Sequence, residues 1–453
     1  MSTTASGTSW LRVSGEHQKL VTAEGQPFLY LADTAWELLH RLDAEETEHY
    51  LTARASQGFT VVQTVILGER DGLVKPTPAG HVPFHDLDPA KPNEAYFSHV
   101  DAVVRRINEL GMVAALLPTW GDKFINSPGQ GPQVLNPDNA RAYGRFVGAR
   151  YREARVIWVL GGDRKLDKPG MMETNHELAL GVKEGDGGRH LMTFHPPGRH
   201  SSSEQVHEEP WLDFNMWQTG HSNPELDTTA LILSDLAKTP KKPSFDGEPC
   251  YENLPVMGGA WNPTGQARFT AADCRRRAYR GLLAGACGHT YGCNEIWMMH
   301  KHGEEQFVAS NMTWRHALHL PGANQMRHVK TLMERVPFLS LRSVPGWQGV
   351  VTQLDSNNFA DSNLQKRSRW TNPYPAPAEI GRPTAARGDE CVLIYLPMGN
   401  AVQVDLSELG SGARLTWFDP RHGTFSAGGV WSGKDQWIDP PICGEDWVLL
   451  AEV

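Results

Sequence analysis

Cysteine, positive charge and long apolar runs are all scarce in this sequence. Its 453 residues contain six cysteines, which form neither a CxxC pair nor a regular ladder, so we expect free, buried thiols. The formal net charge of -9 argues against a nucleic-acid partner, because such binders usually present a basic surface. No apolar run approaches the length that spans a bilayer, so no membrane partner is expected.

The first residues lack the features of a secretory leader. Segment 1–7 is rich in serine and threonine, and it has neither a basic n-region nor an apolar h-region. We therefore expect a soluble, cytoplasmic protein. A leader removed on the way to the periplasm or the exterior would leave the same sequence, so that location stays open as the alternative.

Motifs of several other enzyme classes are missing as well. The sequence has no HExxH, no histidine pair at i, i+4 on a predicted helix, and no GxSxG elbow. We therefore expect no metal and no cofactor. His300-Lys-His302 leaves a metal-binding loop open as a minor alternative, and Ser201–Ser203 is interpreted as a loop.

The most informative stretch that is present runs from Arg155 to Arg164. Five apolar residues, Val156–Leu160, follow one another without a polar break, which is typical of a strand buried on both faces of a parallel sheet. Two glycines then end the strand, and Asp163 and Arg164 follow at once. In an α/β barrel these two residues lie at the carboxyl end of a strand, where the chemistry is carried out.

Seven further runs share this pattern, and predicted helices lie between most of them. The predicted strands are 28–33, 59–67, 112–120, 155–164, 191–197, 211–218, 242–248 and 288–297, and the predicted helices are 43–56, 96–110, 136–151, about 171–183, 227–237 and 270–284. This alternation predicts a (β/α)₈ TIM barrel over residues 1–345. A doubly wound open sheet is disfavoured, because no glycine-rich phosphate motif follows the first strand.

The pattern changes after residue 345 to short sheet-like runs separated by turns. The predicted strands there are 350–354, 390–397, 401–406, 414–419 and 446–450. They predict a small antiparallel β-sandwich over residues 346–453. We expect the proline-rich segment 370–387 to form an exposed loop within it.

Two acidic residues at strand ends suggest glycoside hydrolysis, which needs one carboxylic acid and one carboxylate flanking the bond. Asp163 ends the fourth strand and Glu248 the seventh, and these strands lie on roughly opposite sides of a barrel's mouth. Asp163 has an alternative interpretation as a turn residue or helix cap. Asp246 and Glu252 remain substitutes for Glu248, because they follow the same strand.

The other strand ends supply polar groups and flat aromatic rings of the kinds that a sugar pocket requires. Several of the 15 tryptophans lie at these positions, although a core tryptophan is the ordinary alternative. The predicted substrate-binding residues are Asp33, Trp36, Gln63, Trp120, Asp122, Arg164, His195, Trp217, Gln218, Tyr251, Asn294 and Trp297.

Three of these segments resemble one glycosidase family. Phe28–Leu38, Val159–Arg164 and Phe245–Glu252 are similar to the apiosidase-like catalytic domain of glycoside hydrolase family 140, and Leu415–Gly423 resembles the collagen-binding-type β-domain that accompanies it. The resemblance implies a (β/α)₈ barrel that cleaves terminal β-linked apiose. It also implies that Asp163 is the acid/base and Glu248 the nucleophile. The related barrels usually carry Asn-Glu where this chain has Gly162-Asp163, and a shorter acid fits a smaller sugar.

These observations lead to the hypothesis of a retaining exo-glycosidase acting on a plant glycan or glycoside. We expect the two carboxyl groups to lie about 5.5 Å apart, whereas about 9 Å would favour inversion. A hydrolase for another small sugar, such as an arabinofuranoside, or for internal bonds of a glycan is the nearest alternative. A non-catalytic glycan-binding protein and a metal-dependent hydrolase are alternatives from other classes.

Overall fold

The computed structural model describes residues 9–15, 19–125, 131–224, 226–256, 267–344, 346–355 and 381–453. Within these ranges five of the six cysteines are free and buried, as predicted, whereas Cys443 is exposed, so its predicted burial is wrong. No helix in the described part of the chain combines the length and the apolarity needed to cross a membrane.

Eight parallel strands form the barrel predicted from the sequence. They are β1 Tyr30–Thr34, β2 Val61–Val65, β3 Val113–Leu117, β4 Val156–Gly161, β5 Met192–His195, β6 Asn215–Gln218, β7 Ser244–Asp246 and β8 Gly288–Tyr291. Pairing runs β5-β4-β3-β2-β1-β8-β7-β6, and the two-residue strand His200–Ser201 adds to β6 in the antiparallel sense. Between β5 and β6, the Thr193 hydroxyl donates to the Phe214 carbonyl oxygen at 2.7 Å and helps to close the barrel.

The β4 strand shows why its sequence is apolar throughout. Ile157 and Val159 belong to the cluster that fills the barrel, whereas Trp158 and Leu160 face the surrounding helices. All six residues of the strand are buried. The Trp158 indole N–H also donates to Asp186 on the helix that follows, at 3.0 Å. Burial on both faces therefore removes the alternation that a half-exposed strand would show.

Ten α-helices are present among the described residues. They are α1 Leu38–Arg41, α2 Ala44–Ser56, α3 Glu94–Glu109, α4 Ala140–Arg150, α5 Met171–Asp186, α6 Thr228–Leu236, α7 Ala271–Leu283, α8 Asn294–Trp297, α9 Trp314–Ala317 and α10 Pro321–Arg335. Asp43, the first residue of the predicted helix, caps α2 in a capping box with Glu46. All six predicted helices are confirmed within a few residues.

Two features at the ends of the barrel differ from the prediction. The eighth strand ends at Tyr291, not Trp297, because residues 294–297 turn into the short helix α8. An unpredicted antiparallel sheet, Leu11–Val13, Leu20–Thr22 and Pro27–Phe28, precedes β1. Its strands are two or three residues long, so they leave little pattern in the sequence.

The C-terminal region consists of two antiparallel sheets that enclose their own apolar cluster. The larger sheet pairs, in order, Arg342–Ser343, Thr384–Gly388, Cys391–Leu396, Trp447–Glu452, Arg414–Asp419 and Thr424–Val430; the smaller pairs Val351–Leu354, Val402–Val404 and Trp437–Ile438. This confirms the predicted β-sandwich. The loop prediction for 370–387 is corrected at its end, where Thr384 begins a strand whose Ala385 and Ala386 are buried; residues 356–380 lie outside the described ranges.

The sandwich packs on helix α7 of the barrel. Tyr279 stacks on Tyr395 with ring centroids 5.2 Å apart. Arg275 forms a bidentate ion pair with Asp446, at 2.9 and 2.7 Å, and both side chains are only 6% exposed. Residues of both regions, including Ala278 and Leu450, share one hydrophobic cluster. The sandwich therefore supports the outside of the barrel beside β7 and β8.

Candidate active site

A cavity of about 400 Å³ opens at the carboxyl ends of the barrel strands. This is the end at which barrels of this type hold their active sites. The lining residues come from loops after most of the strands: Trp36, Glu69, Arg70, Trp120, Asp163, Arg164, Gln218, His221, Glu248, Tyr251, Leu254, Trp297, Phe307 and Val308. Eight of the residues predicted from the sequence are thus brought together.

The turn that carries Asp163 is fixed by close backbone contacts. Gly161, Gly162 and Asp163 all have positive φ, at 84°, 117° and 57°. A Cβ on Gly161 would lie 2.5 Å from the His195 carbonyl oxygen, and one on Gly162 would lie 2.6 Å from the Gly121 nitrogen. The two glycines are therefore required by conformation and by space. Aspartate tolerates the left-handed region better than most residues, and such strain is frequent at functional sites.

The Asp163 carboxyl group forms an ion pair with the guanidinium group of Arg164. Its Oδ2 accepts a hydrogen bond from Arg164 Nη1 at 2.9 Å, and Arg164 Nη2 donates to Glu69 Oε1 at 3.0 Å. Burial and the negative charge of Glu248 raise the pKa of Asp163 above its ordinary value, and Arg164 opposes this shift. The carboxyl group is thus biased towards the protonated form, as a general acid requires.

Glu248 is held in the opposite state. Its Oε2 accepts from His195 Nε2 at 2.8 Å, while its Oε1 accepts from Gln218 Nε2 at 2.8 Å and from His221 Nε2 at 3.1 Å. Burial would raise the pKa of this carboxyl group, but the hydrogen bonds from His195 and His221 outweigh it and lower the pKa well below the usual range. Glu248 is therefore a carboxylate at neutral pH.

His195 connects the two acidic residues. Its Nδ1 accepts a hydrogen bond from the Asp163 backbone N–H at 3.2 Å, so that nitrogen carries no proton. The proton of the neutral ring must then lie on Nε2, which donates to Glu248. One fully buried imidazole thus positions the backbone of Asp163 and the carboxylate of Glu248 together. The sequence predicted His195 as a substrate contact, but it lies beneath the cavity and does not line it.

Aromatic rings line part of the cavity. Trp36 and Trp120 line it and pack on the buried His195, with all three centroid distances at 5.3 Å. Tyr251 packs on His221 at 4.4 Å, and burial with the nearby charge of Glu248 raises the pKa of its phenol. These flat apolar surfaces suit the faces of a sugar ring.

Five other predicted binding residues do not line the cavity. Each is buried because its polar group already has a structural task or because it packs in the core. Asp33 pairs with Arg54 at 2.7 Å; Gln63 donates to the Gly247 carbonyl oxygen at 3.0 Å; Asp122 pairs with Lys123 at 2.9 Å; Asn294 donates to the Ala309 carbonyl oxygen at 3.1 Å; Trp217 packs in the barrel core.

The residues left open as alternatives also lie elsewhere. Asp246 is buried and accepts from the Thr219 hydroxyl at 2.6 Å, and Glu252 accepts from the Tyr291 hydroxyl at 2.6 Å. Neither lines the cavity. In the proposed metal loop, His300 is buried whereas His302 is exposed. Of the three acids around β7, Glu248 is therefore the one that reaches the cavity.

Sequence reasoning missed six lining residues. Arg70 lies over the Phe307 ring at 4.2 Å, and Glu69 anchors Arg164. His221 follows β6 after a short turn, so a wider search of that loop would have found it. The remaining three are apolar residues from long loops, and no pattern marks them: Leu254, Phe307 and Val308.

The chain is similar to known proteins in sequence and fold. Residues 14–340 match the family model "Apiosidase-like, catalytic domain", and residues 378–452 match "Putative collagen-binding domain of a collagenase". No curated protein matches the chain.

Two solved structures are 28% identical to the chain, each with a TM-score of 0.82. One is a glycoside hydrolase family 5 protein from Bacteroides vulgatus ATCC 8482, with 98% of this chain and 94% of that chain covered. The other, named "Glycoside hydrolase", is covered to 98% on both sides. A glycoside hydrolase family 5 mannosidase from Rhizomucor miehei, 11% identical with a TM-score of 0.52 over 73% of this chain and all of that chain, shares the fold alone.

Proposed function

The chain belongs to the family of apiosidase-like catalytic domains and is a glycoside hydrolase, and from that premise we propose that it is a retaining exo-enzyme that releases a terminal pentofuranose, foremost β-linked apiose from a plant glycan or glycoside. One observation carries this proposal. Asp163 and Glu248 line the same cavity from opposite strands, and their pKa values are shifted in opposite directions. Acid catalysis with a carboxylate nucleophile requires one protonated and one ionised carboxyl group, and opposite pKa shifts favour these two states.

The reaction follows from these two states. Glu248 attacks the anomeric carbon as a carboxylate and forms a covalent glycosyl ester, while Asp163 gives its proton to the departing oxygen. Asp163, now ionised, then takes a proton from water, whose oxygen attacks the anomeric carbon and releases Glu248. Two displacements at one carbon return the product with the configuration of the substrate.

The size and lining of the cavity support a small terminal sugar. A volume of about 400 Å³ is near the lower end of the range for ligand sites, and Trp297 and Phe307 wall it with apolar surface. An arabinofuranoside has similar size and hydroxyl groups, so it is the second candidate substrate.

The substrate class is tested with a panel of 4-nitrophenyl glycosides. We expect β-apiofuranoside to be cleaved with the highest kcat/KM and hexopyranosides to be cleaved poorly. Proton NMR should show that the released sugar, before it undergoes mutarotation, has the same anomeric configuration as the substrate. If the first product had the opposite anomeric configuration, the double-displacement mechanism would be wrong. If the arabinofuranoside were cleaved with the higher kcat/KM, arabinofuranose would take the place of apiose as the proposed substrate sugar. A chain that binds these sugars but cleaves none would be a glycan-binding protein.

Replacing Arg164 should change the pH dependence of kcat/KM. Asp163 must be protonated to donate, so kcat/KM falls as the pH rises through its pKa. Arg164 lowers this pKa, and Arg164→Met should therefore raise it and move the basic limb to higher pH. The profile is measured on wild type and variant with one substrate; the surface variant Arg105→Met, whose side chain is 69% exposed in the wild type, serves as the control. An unmoved basic limb would assign the donated proton to another group.

A further inference from the structure

A second group of ligating side chains lies next to the cavity. Glu37, His40 and Asp71 each offer one ligand atom, and these atoms lie within 4.8 Å of one another. None of the three residues lines the cavity. Glu37 follows Trp36, and Asp71 follows Glu69 and Arg70, so the group is adjacent in the chain to residues that line the cavity.

His40 is the feature that needs an explanation. The residue is 3% exposed, and neither ring nitrogen has a hydrogen-bond partner among the described residues. Most buried polar side-chain atoms are satisfied, because an unsatisfied one costs on the order of 1–3 kcal/mol. A nearby half-buried histidine, His99, does have a partner, the Leu39 carbonyl oxygen at 3.1 Å. Among the described residues, both ring nitrogens of His40 are therefore available to a further partner.

The two carboxylates are arranged so that each keeps an oxygen for such a group. Arg41 holds Glu37 through Oε2, with Nε at 3.1 Å, and Asp71 through Oδ1, with Nη2 at 2.9 Å. Among the described residues, the nearest cation to the second oxygen of Asp71 is Lys75, at 4.0 Å, which is beyond hydrogen-bonding range. Arg41 thus orients both carboxylates, as outer-shell partners do around metal ligands.

We propose that Glu37, His40 and Asp71 bind one divalent cation of the class that accepts an imidazole nitrogen together with carboxylate oxygens, namely zinc or manganese. Such a cation needs its ligands about 2.0–2.2 Å away, so the three atoms must close in from their present spacing. The Asp71 side chain, 34% exposed, has room to make this movement and gives the cation a route from solvent.

The cation would stabilise the cavity wall and take no part in the chemistry. Asp71 is joined through the chain to Arg70 and Glu69, and Glu69 holds Arg164 beside Asp163. The sequence predicted no metal because Glu37 and His40 are separated from Asp71 by more than 30 residues and match no motif. The fold alone brings them together.

Metal binding is tested on the full chain, without an activity assay. After treatment with EDTA and its removal, the protein is dialysed against zinc or manganese chloride, and bound metal is measured by elemental analysis and calorimetry. We expect one zinc or manganese ion per chain and a higher midpoint of thermal unfolding. His40→Gln and Asp71→Asn should each weaken binding at least 10-fold, whereas His99→Gln, a nearby histidine outside the group, should bind as the wild type does.

Asp71→Asn keeps the test valid if His40→Gln fails to fold. Asp71 is partly exposed, and asparagine retains a side-chain oxygen that accepts a hydrogen bond from Arg41. Circular dichroism without metal confirms that each variant is folded. Failure of the wild type to bind either ion at one per chain would overturn the proposal. Equal binding by wild type, His40→Gln and Asp71→Asn would overturn it as well, because the ion would then occupy a different site.

Discussion

Glu248→Gln should lower kcat by about 10⁴-fold or more, because it removes the atom that attacks the anomeric carbon. Glutamine has nearly the same size and shape as glutamate, so the barrel should fold as before. The wild-type carboxylate is held ionised by His195 and His221, and a neutral amide has neither its charge nor its nucleophilicity. The measurement is kcat on a 4-nitrophenyl glycoside, with thermal unfolding to confirm the fold.

Glu69→Gln is the matched control for this variant. Glu69 lines the same cavity, but its carboxylate binds Arg164 and does not face the histidines that hold Glu248. Its replacement should reduce kcat/KM much less, through the position of Arg164. Activity of Glu248→Gln within about 10-fold of wild type would remove Glu248 from the role of nucleophile. Equal losses in both variants would mean that the cavity depends on charge in general.

The sequence was sufficient to predict the barrel and the two acidic residues, for a simple physical reason. A strand buried on both faces is mostly apolar, and β4 and β3 are recognisable by that property. Parallel strands in a barrel end at the same rim, so acids that follow them meet there. Asp163 and Glu248 were located by this rule, without knowledge of any contact between them.

The same rule selected several binding residues that do not line the cavity, because position at a strand end does not show where a side chain points. Asp33 lies near the end of a strand, yet its side chain pairs with Arg54 of helix α2 and does not line the cavity. Asp122 likewise accepts hydrogen bonds from the backbone N–H groups of Arg70 and Gly131. Arg70 and Gly131 come from loops, whose course the sequence pattern does not determine. Arg70 and Phe307 were missed for the same reason.

The C-terminal sandwich shows another limit of pattern reasoning. Buried strands such as Cys391–Leu396 are uniformly apolar and were predicted. The edge strand Thr424–Val430 is almost wholly exposed, so no burial requirement shapes its sequence. Its position is fixed by backbone pairing with Arg414–Asp419, which leaves no signature in side-chain hydrophobicity. Edge strands are therefore the elements that such an analysis loses first.

Asp163→Asn should lower kcat/KM by roughly 10²–10⁴-fold for substrates with poor leaving groups, because the departing oxygen is no longer protonated. With a 2,4-dinitrophenyl leaving group the first step needs no acid, so that step should remain fast. The glycosyl ester on Glu248 would then accumulate, because no base activates water. Added azide, which needs no base, should restore turnover and give the glycosyl azide with the configuration of the substrate.

The dependence on leaving group and azide separates chemistry from folding, since a structural defect would slow all substrates alike. Asp167→Asn is the control, an exposed aspartate in the same loop that does not line the cavity. It should behave as the wild type with every substrate. If Asp163→Asn lost the same factor with good and poor leaving groups and did not respond to azide, Asp163 would not be the acid/base. His195 makes this variant a clean test, because it holds the backbone N–H of residue 163, which the substitution leaves unchanged.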